Sequence, residues 1–493
     1  MSLLIVSPFV VLVLCPGVVP LDLLSFVLER DTSRLVPGVH LDQAEGVRGL
    51  RFSSPHLSMS FPSSDLLPDC HLFPQQFSMV VTLSVTRSNP QVKYKYTDRL
   101  FCFCFDFSMN KGLYLCDGSQ WITMLQDHQR LDYILEQQVL TTSSETNDIE
   151  VFQIAGVGVM AALAQRSPAS GSAVYLWTRS GFQLYQNIST HGALAWRHFR
   201  IGKRSYLVVS NFGGGADTSG AEVEPDSSVI YKWSRKRRRF VHLQTLHTHC
   251  ARDWEAFSIN QHTYLAVANH RTGNNHTIDS LIYKWNRLAK AFEVHQRLPT
   301  SGAYDWEFFT VGPYNLLVVA NAFDGVTTSV DSVIYVWVND GFQVFQTIKT
   351  YCATDWEMFQ IGGRVFLVVA NGHRLADSGH GRYAINSTIY ELDMHARMFV
   401  RFQDITTYSA VDWEFFSLGE EHFLVVANSF SGESYSLNSI LYRWQGYEGF
   451  VPVHFLPTIG CSDWEFFTWK GESYLMYSSA KAPLSKVFKL KTY

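Results

Sequence analysis

The sequence predicts an all-β chain dominated by a seven-bladed β-propeller. Three observations predict it: one block recurs seven times, its segments read as strands, and their number closes a ring. The blocks open at Asp148-Ile149-Glu150, Ala195-Trp196-Arg197, Asp253-Trp254-Glu255, Asp305-Trp306-Glu307, Asp355-Trp356-Glu357, Asp412-Trp413-Glu414 and Asp463-Trp464-Glu465. Their central residues lie 47, 58, 52, 50, 57 and 51 positions apart. A period of about 50 residues marks a repeat architecture.

Each block runs through the same four segments. Phe follows two residues after the Glu position, at Phe152, Phe199, Phe257, Phe309, Phe359, Phe416 and Phe467. An apolar run then ends at Asn211, Asn269, Asn321, Asn371 or Asn428. A Ser-x-Ile-Tyr-x-Trp type segment follows, from Ser228, Ser280, Ser332, Ser387 or Ser439. Last comes Phe-x-x-x-Gln, at Phe182, Phe240, Phe342 and Phe399. The segments are short, alternate with period two, and are bounded by Gly, Asn, Asp or Ser, which is strand chemistry. Four strands in seven repeats make a propeller. The array stops after a third-strand match at 485–490, and residues 133–140 match the missing fourth. That upstream strand is expected to complete the last blade, because closure removes open sheet edges. An open solenoid is the alternative.

These blocks resemble the EAR, or EPTP, repeat. It is found in leucine-rich glioma-inactivated proteins, some very large adhesion receptors, and thrombospondin-type laminin G domain and EAR repeat-containing proteins. The resemblance covers residues 133–493. Upstream, residues 36–87 hold Gly-Val-Arg-Gly-Leu-Arg-Phe, Cys70 and Phe-Pro-Gln-Gln-Phe-Ser, and resemble the start of a thrombospondin-type laminin G domain. Such a sandwich needs roughly 180–200 residues, so residues 21–130 are expected to be a truncated laminin G-like region. Residues 131–493 are expected to be the propeller. Residues 1–20 read as a secretory leader, with an apolar run before Cys15-Pro16-Gly17.

Composition agrees with an extracellular β protein: 46% apolar, 14% aromatic and only 17% charged, with net charge −4. Bulk nucleic-acid binding is not suggested, and no second long apolar stretch reads as a transmembrane anchor. Sequons stand at Asn187, Asn275 and Asn386; Asn275 and Asn386 are read in inter-strand loops, Asn187 near a strand end. Cys70, Cys102, Cys104 and Cys116 are candidates for disulfides of unassigned pairing. Cys250, Cys352 and Cys461, with Gly192, Gly302 and Ser409, are read as one small-residue position before the blocks.

Period two puts each Trp on one strand face and its flanking acids on the other. Trp196, Trp254, Trp306, Trp356, Trp413 and Trp464 are therefore expected to fill the space between blades. Asp148, Asp253, Asp305, Asp355, Asp412 and Asp463 approach the central channel. Either each Asp caps a turn and each Glu bonds the neighbouring blade, or the carboxylates hold a cation, for which Ca²⁺ fits best. Ala195 and Arg197 depart from the pattern, and Arg197 is expected to pair with a neighbouring Glu. The loops leading into the blocks and those after the Asn positions share one face. The longer ones suggest recognition residues: Phe212, Asp217, Glu222 and Pro225, and His373, Arg374, His380 and Tyr383. On the opposite face Arg235, Lys236, Arg237, Arg238 and Arg239 form either a solvated turn or a site for sulfated glycans such as heparan sulfate. Residues 235–238 also resemble a furin-type cleavage site.

Carboxylates repeated at the same position in six of the seven blades speak for structure rather than catalysis. No nucleophile elbow, zinc-protease motif or phosphate loop is present in the sequence. The resemblance implies a secreted, non-enzymatic protein whose ring binds a cell-surface receptor or adhesion ectodomain, of the ADAM type in glioma-inactivated relatives. It further implies a setting in sensory or ectodermal epithelia, or in developmental signalling. A matrix-associated glycan binder and a structural matrix component are the alternatives.

Overall fold

In the computed structural model the chain divides into two compact units, residues 1–128 and 129–493. The structure describes residues 130–167, 169–212, 227–375 and 381–492, and before residue 130 the backbone of short strands alone. In the first unit Val39–Ala44 pairs antiparallel with Val47–Phe52, and Cys102–Asp106 with Gly112–Cys116. The leader and the truncated sandwich expected there, and the side chains of Cys70, Cys102, Cys104 and Cys116, lie outside the described residues.

The second unit is a ring of seven four-stranded antiparallel sheets. Blade 1 is Thr146–Ile154, Gly158–Gln165, Ser172–Thr178 and Gly181–Ile188, and the later blades repeat that order. The strand carrying the Asp-Trp-Glu position is innermost, against the same strand of both neighbouring blades, and the seventh returns to the first. Leu131–Thr141 pairs antiparallel with Leu484–Thr492 and becomes the outer strand of blade 7. The ring is thus closed by the strand expected from upstream of the first block.

The core lies between blades. Seven apolar clusters each join two consecutive blades, the last joining blade 7 to blade 1. The six block tryptophans are at most 2% exposed, so each sits fully in a seam. Blade 1 has Ile149 there, and the recurring third-strand tryptophan, Trp177, packs beside it with Phe182, Tyr474 and Phe467 at 4.8, 4.9 and 5.1 Å. Seams also carry stacked rings, such as Phe257 on Phe308 at 4.5 Å and Phe416 on Phe466 at 4.8 Å. Packing that spans every seam makes each blade dependent on its neighbours.

The Phe-x-x-x-Gln motif has a structural reason that its sequence pattern did not reveal. Each Gln side-chain amide bonds both backbone groups of the Phe one blade onward. Gln296 Oε1 accepts from Phe342 N at 2.8 Å while its Nε2 donates to Phe342 O at 2.8 Å. The same clamp joins Gln138 to Phe182, Gln186 to Phe240, Gln244 to Phe292, Gln346 to Phe399 and Gln403 to Phe450. From blade 6 to blade 7 the motif fails: His454 stands at the Gln place and Ile134 at the Phe place. There Glu421 accepts from Leu131 N at 3.0 Å instead. Changing Gln346 to Leu is expected to cost about 1–2 kcal/mol, since two part-buried backbone groups lose their partners. Denaturant melts of the two proteins would measure it.

The small-residue position before the blocks is corrected by the backbone. Gly192, Cys250, Gly302, Cys352, Ser409 and Gly460 share the left-handed conformation, with φ between 45° and 63°. Cys461 belongs to the next position, with Ala193, Ala251, Ala303, Ala353 and Ala410. The constraint is backbone sign as well as size. At Gly302 a Cβ would also meet the Phe323 carbonyl oxygen at 2.5 Å.

Candidate partner-binding face and channel

The innermost strands leave one row of backbone N–H groups without a strand partner, and such groups need acceptors. The recurring acids supply them. Asp148 Oδ2 accepts from Trp196 N at 2.8 Å, Asp305 from Trp356 N at 3.1 Å, Asp355 from Trp413 N at 2.9 Å, and Asp412 from Trp464 N at 2.9 Å. Asp463 closes the circuit on Ile149 N at 2.7 Å. The glutamates repeat the pattern two residues on: Glu307 to Met358 N at 3.3 Å, Glu357 to Phe415 N at 3.1 Å and Glu414 to Phe466 N at 2.9 Å. The Glu residues therefore bond the neighbouring blade. Asp148, Asp305, Asp355, Asp412 and Asp463 do so too, rather than capping their own turns, whereas Asp253 Oδ2 is buried without a hydrogen-bond partner.

Burial disfavours the charged form of these carboxyl groups and raises their pKa values. Glu150 and Glu255 are pushed up to about 7, by burial, against the pull of Arg197. Glu414 is pushed up to about 8 by burial. Asp148, Asp305, Asp355, Asp412, Asp463, Glu307, Glu357 and Glu465 lie well above their ordinary range for the same reason, reinforced by their acidic neighbours. Arg197 is the counter-charge. Its Nε donates to Trp254 O at 2.9 Å, and its guanidinium nitrogens lie 3.3 Å from Glu255 and 3.9 Å from Glu150. Among the described residues no three acids, His or Cys converge as metal ligands would. One oxygen each of Asp148, Asp305, Asp355, Asp412 and Asp463 is engaged by a backbone N–H group of the next blade.

The recurring Asn and Ser residues build the loop face. Asn269 Oδ1 accepts from His249 N at 3.0 Å in the leading loop, and its Nδ2 donates to Asp279 O at 3.0 Å on the third strand. Asn211, Asn321, Asn371 and Asn428 do the same. Ser280 Oγ accepts from Asn269 N and meets Thr300 Oγ1 at 3.0 Å in the interior. The two loops of each blade are also joined by backbone bonds, as from Phe212 N to Gly192 O and from Gly372 N to Cys352 O. The repeated residues fix the platform, and the loops between them vary.

Two groups of side chains stand on that platform. Over blades 2 to 4, Arg252 lies between Phe212 and Tyr304, 4.7 and 4.4 Å from their ring centres, and donates to Tyr304 Oη at 3.1 Å. Arg271 faces Phe212 at 5.6 Å, and His276 meets Phe323 at 4.9 Å. Over blades 5 to 7, His373 meets Tyr383 at 5.6 Å, Tyr383 meets Phe430 at 4.9 Å, Phe430 meets Tyr435 at 4.5 Å, and Lys481 lies 4.4 Å over Tyr435. Arg374 covers Tyr351 at 5.0 Å. Of the recognition residues named from sequence, Phe212 falls in the first group and His373, Arg374 and Tyr383 in the second. Asp217, Glu222, Pro225 and His380 lie outside the described residues. Loop length missed Arg252 and Tyr304, which stand at the starts of the innermost strands Ala251–Ile259 and Ala303–Val311, and Phe430, Tyr435 and Lys481 in shorter loops; the clustering of aromatic and cationic residues at these places was the available signal.

Asn187 and Asn275 are exposed, on the outer strand of blade 1 and in a turn of blade 3. Asn386 corrects its sequence placement: it lies on the strand Ala384–Asp393, where its side chain donates to Asp404 Oδ2 at 3.4 Å.

The EPTP domain family matches residues 181–234, 239–286, 291–338, 341–393, 398–445 and 449–490. The chain belongs to the EPTP family. It is 58% identical over 393 residues to the mouse (Mus musculus) thrombospondin-type laminin G domain and EAR repeat-containing protein, covering 79% of this chain and 57% of that one. It is 52% identical over 459 residues to the human (Homo sapiens) protein of that name, covering 87% and 67%. This EPTP chain thus spans between about half and two thirds of the length of those relatives. Leucine-rich repeat LGI family member 3 of mouse is 26% identical over 179 residues, covering 36% of this chain and 29% of that one. Among solved structures, that of Saccharomyces cerevisiae Sqt1 is similar with a TM-score of 0.45 at 10% identity, over 74% of this chain and 99% of that one.

Proposed function

We propose that this EPTP chain is a secreted, non-catalytic interaction protein whose propeller binds a cell-surface receptor or adhesion ectodomain through its loop face. One observation carries the reading: a platform fixed by repeated Asn and Ser bonds presents loops that differ from blade to blade and carry two aromatic–cationic groups. Aromatic and arginine side chains on a rigid scaffold are what protein interfaces concentrate. The channel acids, by contrast, are spent on backbone bonds. The exposed sequons at Asn187 and Asn275 support an extracellular setting, and the sequence resemblance supports a role in epithelial or developmental signalling.

The test is binding of the purified full-length chain to epithelial cells, with and without heparinase, beside a variant carrying Arg252→Ala, Phe430→Ala and Tyr435→Ala. Saturable, heparinase-resistant binding weakened at least about tenfold in the variant is expected, the scale of a lost interface centre. Saturable binding that the variant retains in full would move the site off this face.

A further inference from the structure

The hairpin-turn face, opposite the loops, departs from the mean charge of the chain. Blade 2 is the source. Its described residues, 193–212 and 227–247, include Arg197, Arg200, Lys203, Arg204, Lys232 and the run 235–239, and no Asp or Glu. Arg197 is engaged in the channel. Lys203, Arg204 and the five residues of the run are exposed on two turns at the same end of the blade. Among the described residues none of these seven is in an ion pair, whereas Arg364, Arg401 and Arg443 of blades 5 and 6 are paired with Glu391, Asp404 and Glu421.

The cationic turn is also held in place. Arg235 Nη2 donates to Lys203 O at 3.3 Å, joining the two turns. Ser234 Oγ accepts from Arg237 N at 3.3 Å. Tyr185 of blade 1 donates to Arg238 O at 2.6 Å, and Arg238 takes the left-handed conformation, φ 49°. A fixed turn loses less freedom when it binds than a mobile one.

The basic surface continues into blade 3. An open groove of ≈ 410 Å³ is lined there by His262, Lys284, Trp285, Asn286, Arg287 and His295, with Glu293 and Val294; Lys284 is paired with Asp340 at 3.6 Å, so Arg287 and Lys290 carry the basic character. Glu293 is taken by the Asn286 amide at 3.0 and 3.1 Å. Arg287 is steadied by its bond to Gln261 O at 2.9 Å, and Lys290 stands on the same turn.

We propose that the two hairpin turns of blade 2, with the adjoining groove of blade 3, form a binding track for a sulfated glycosaminoglycan. The inference rests on the extracellular setting proposed above but not on the loop face. Guanidinium groups match the planar, multi-oxygen edge of sulfate. A linear polyanion suits cations spread over adjacent turns, and an indole with imidazoles and an amide in the groove suits sugar rings. The blade 2 turns carry no apolar side chain for insertion into a lipid layer. Blade 3 has one exposed leucine, Leu288, in its turn, so vesicles belong in the test.

The test uses the purified full-length chain against immobilised heparin, chemically desulfated heparin, and phosphatidylserine-containing vesicles. The variant carries Arg235→Gln, Lys236→Gln, Arg237→Gln, Arg238→Asn and Arg239→Gln, the Asn keeping the left-handed position available. The control carries Arg397→Gln and Lys470→Gln on the same face of other blades. Thermal melts check that both are folded. Expected are heparin binding that falls steeply with salt, a loss of about a hundredfold in the variant, about twofold at most in the control, and no retention on desulfated heparin. Heparin binding unchanged in the folded variant, equal retention on desulfated heparin, or binding to vesicles but not heparin would each overturn the proposal. Failure here with saturable cell binding intact after heparinase would leave the receptor reading standing. Heparin binding as expected with no heparinase-resistant cell binding would do the reverse.

Discussion

Replacing Arg197 with Met is expected to lower the thermal midpoint markedly at pH 8 and to have little effect near pH 5. Arg197 is the cation that meets Glu150 and Glu255 in the channel. Removing one partner of a buried pair usually costs about 3–5 kcal/mol. The Arg197 side chain is 34% exposed, so channel water screens the pair and a loss of about 1–3 kcal/mol is expected. Acid restores the variant because a protonated carboxyl needs no counter-charge.

The parent protein should show the same logic. Glu150, Glu255 and Glu414 have an ordinary value of 4.5 and are raised to about 7, 7 and 8. Between pH 4.5 and 8 the folded ring therefore binds more protons than the unfolded chain. Folding is favoured at the acid end of that window, and stability is lost as pH rises through the folded values. His198 and His270 oppose this. Burial lowers them to about 4 and about 3 from an ordinary 6.5, so their contribution is complete about one unit above 6.5 and is lost as pH falls towards the folded values. Above about pH 7.5 the contribution of these two histidines is complete and the raised acids set the slope, so the midpoint should fall from there to pH 8.5. Calorimetry at constant ionic strength measures it. A flat or rising profile would mean that the acids are ionised in the folded channel.

A chain beginning at residue 142 is expected to lose cooperative melting and to aggregate, whereas one beginning at residue 130 melts as a single unit. Without Leu131–Thr141 the strand Leu484–Thr492 becomes a bare edge, with Val487, Phe488 and Leu490 no longer covered. Long apolar edges pair with other chains. The first seam loses its clamp as well, because Gln138 is the partner of Phe182. Light scattering during a thermal ramp separates the two proteins. Equal, reversible melts would show that the strand is dispensable.

The fold was legible because strand alternation, turn residues and period all point the same way, and because residues 133–140 match the one missing strand. The channel was partly legible. Period two placed the acids inward and Arg197 beside a glutamate. It could not show which N–H groups the Asp side chains meet, since those belong to the next repeat, about 50 positions away. The Gln clamp escaped for the same reason: Gln296 and Phe342 look like separate copies of one motif until the ring brings them together. Backbone sign was equally hidden, which is why Cys461 was grouped with Cys250. The loop-face groups were the least legible, because Arg252, Phe212 and Tyr304 meet only across three blades.

The junction between blades 6 and 7 gives the ring a mechanical character. It is the seam without an amide clamp, and the closing strand beside it is antiparallel to the last one, with Leu131 opposite Thr492. Residues 130 and 492 therefore leave the ring at the same end. Tension between them would load that pairing as a zipper, breaking rungs one after another, instead of in shear with every rung bearing load together. Pulled through these two points, the ring would open at low force. Held by its face, the same ring would resist.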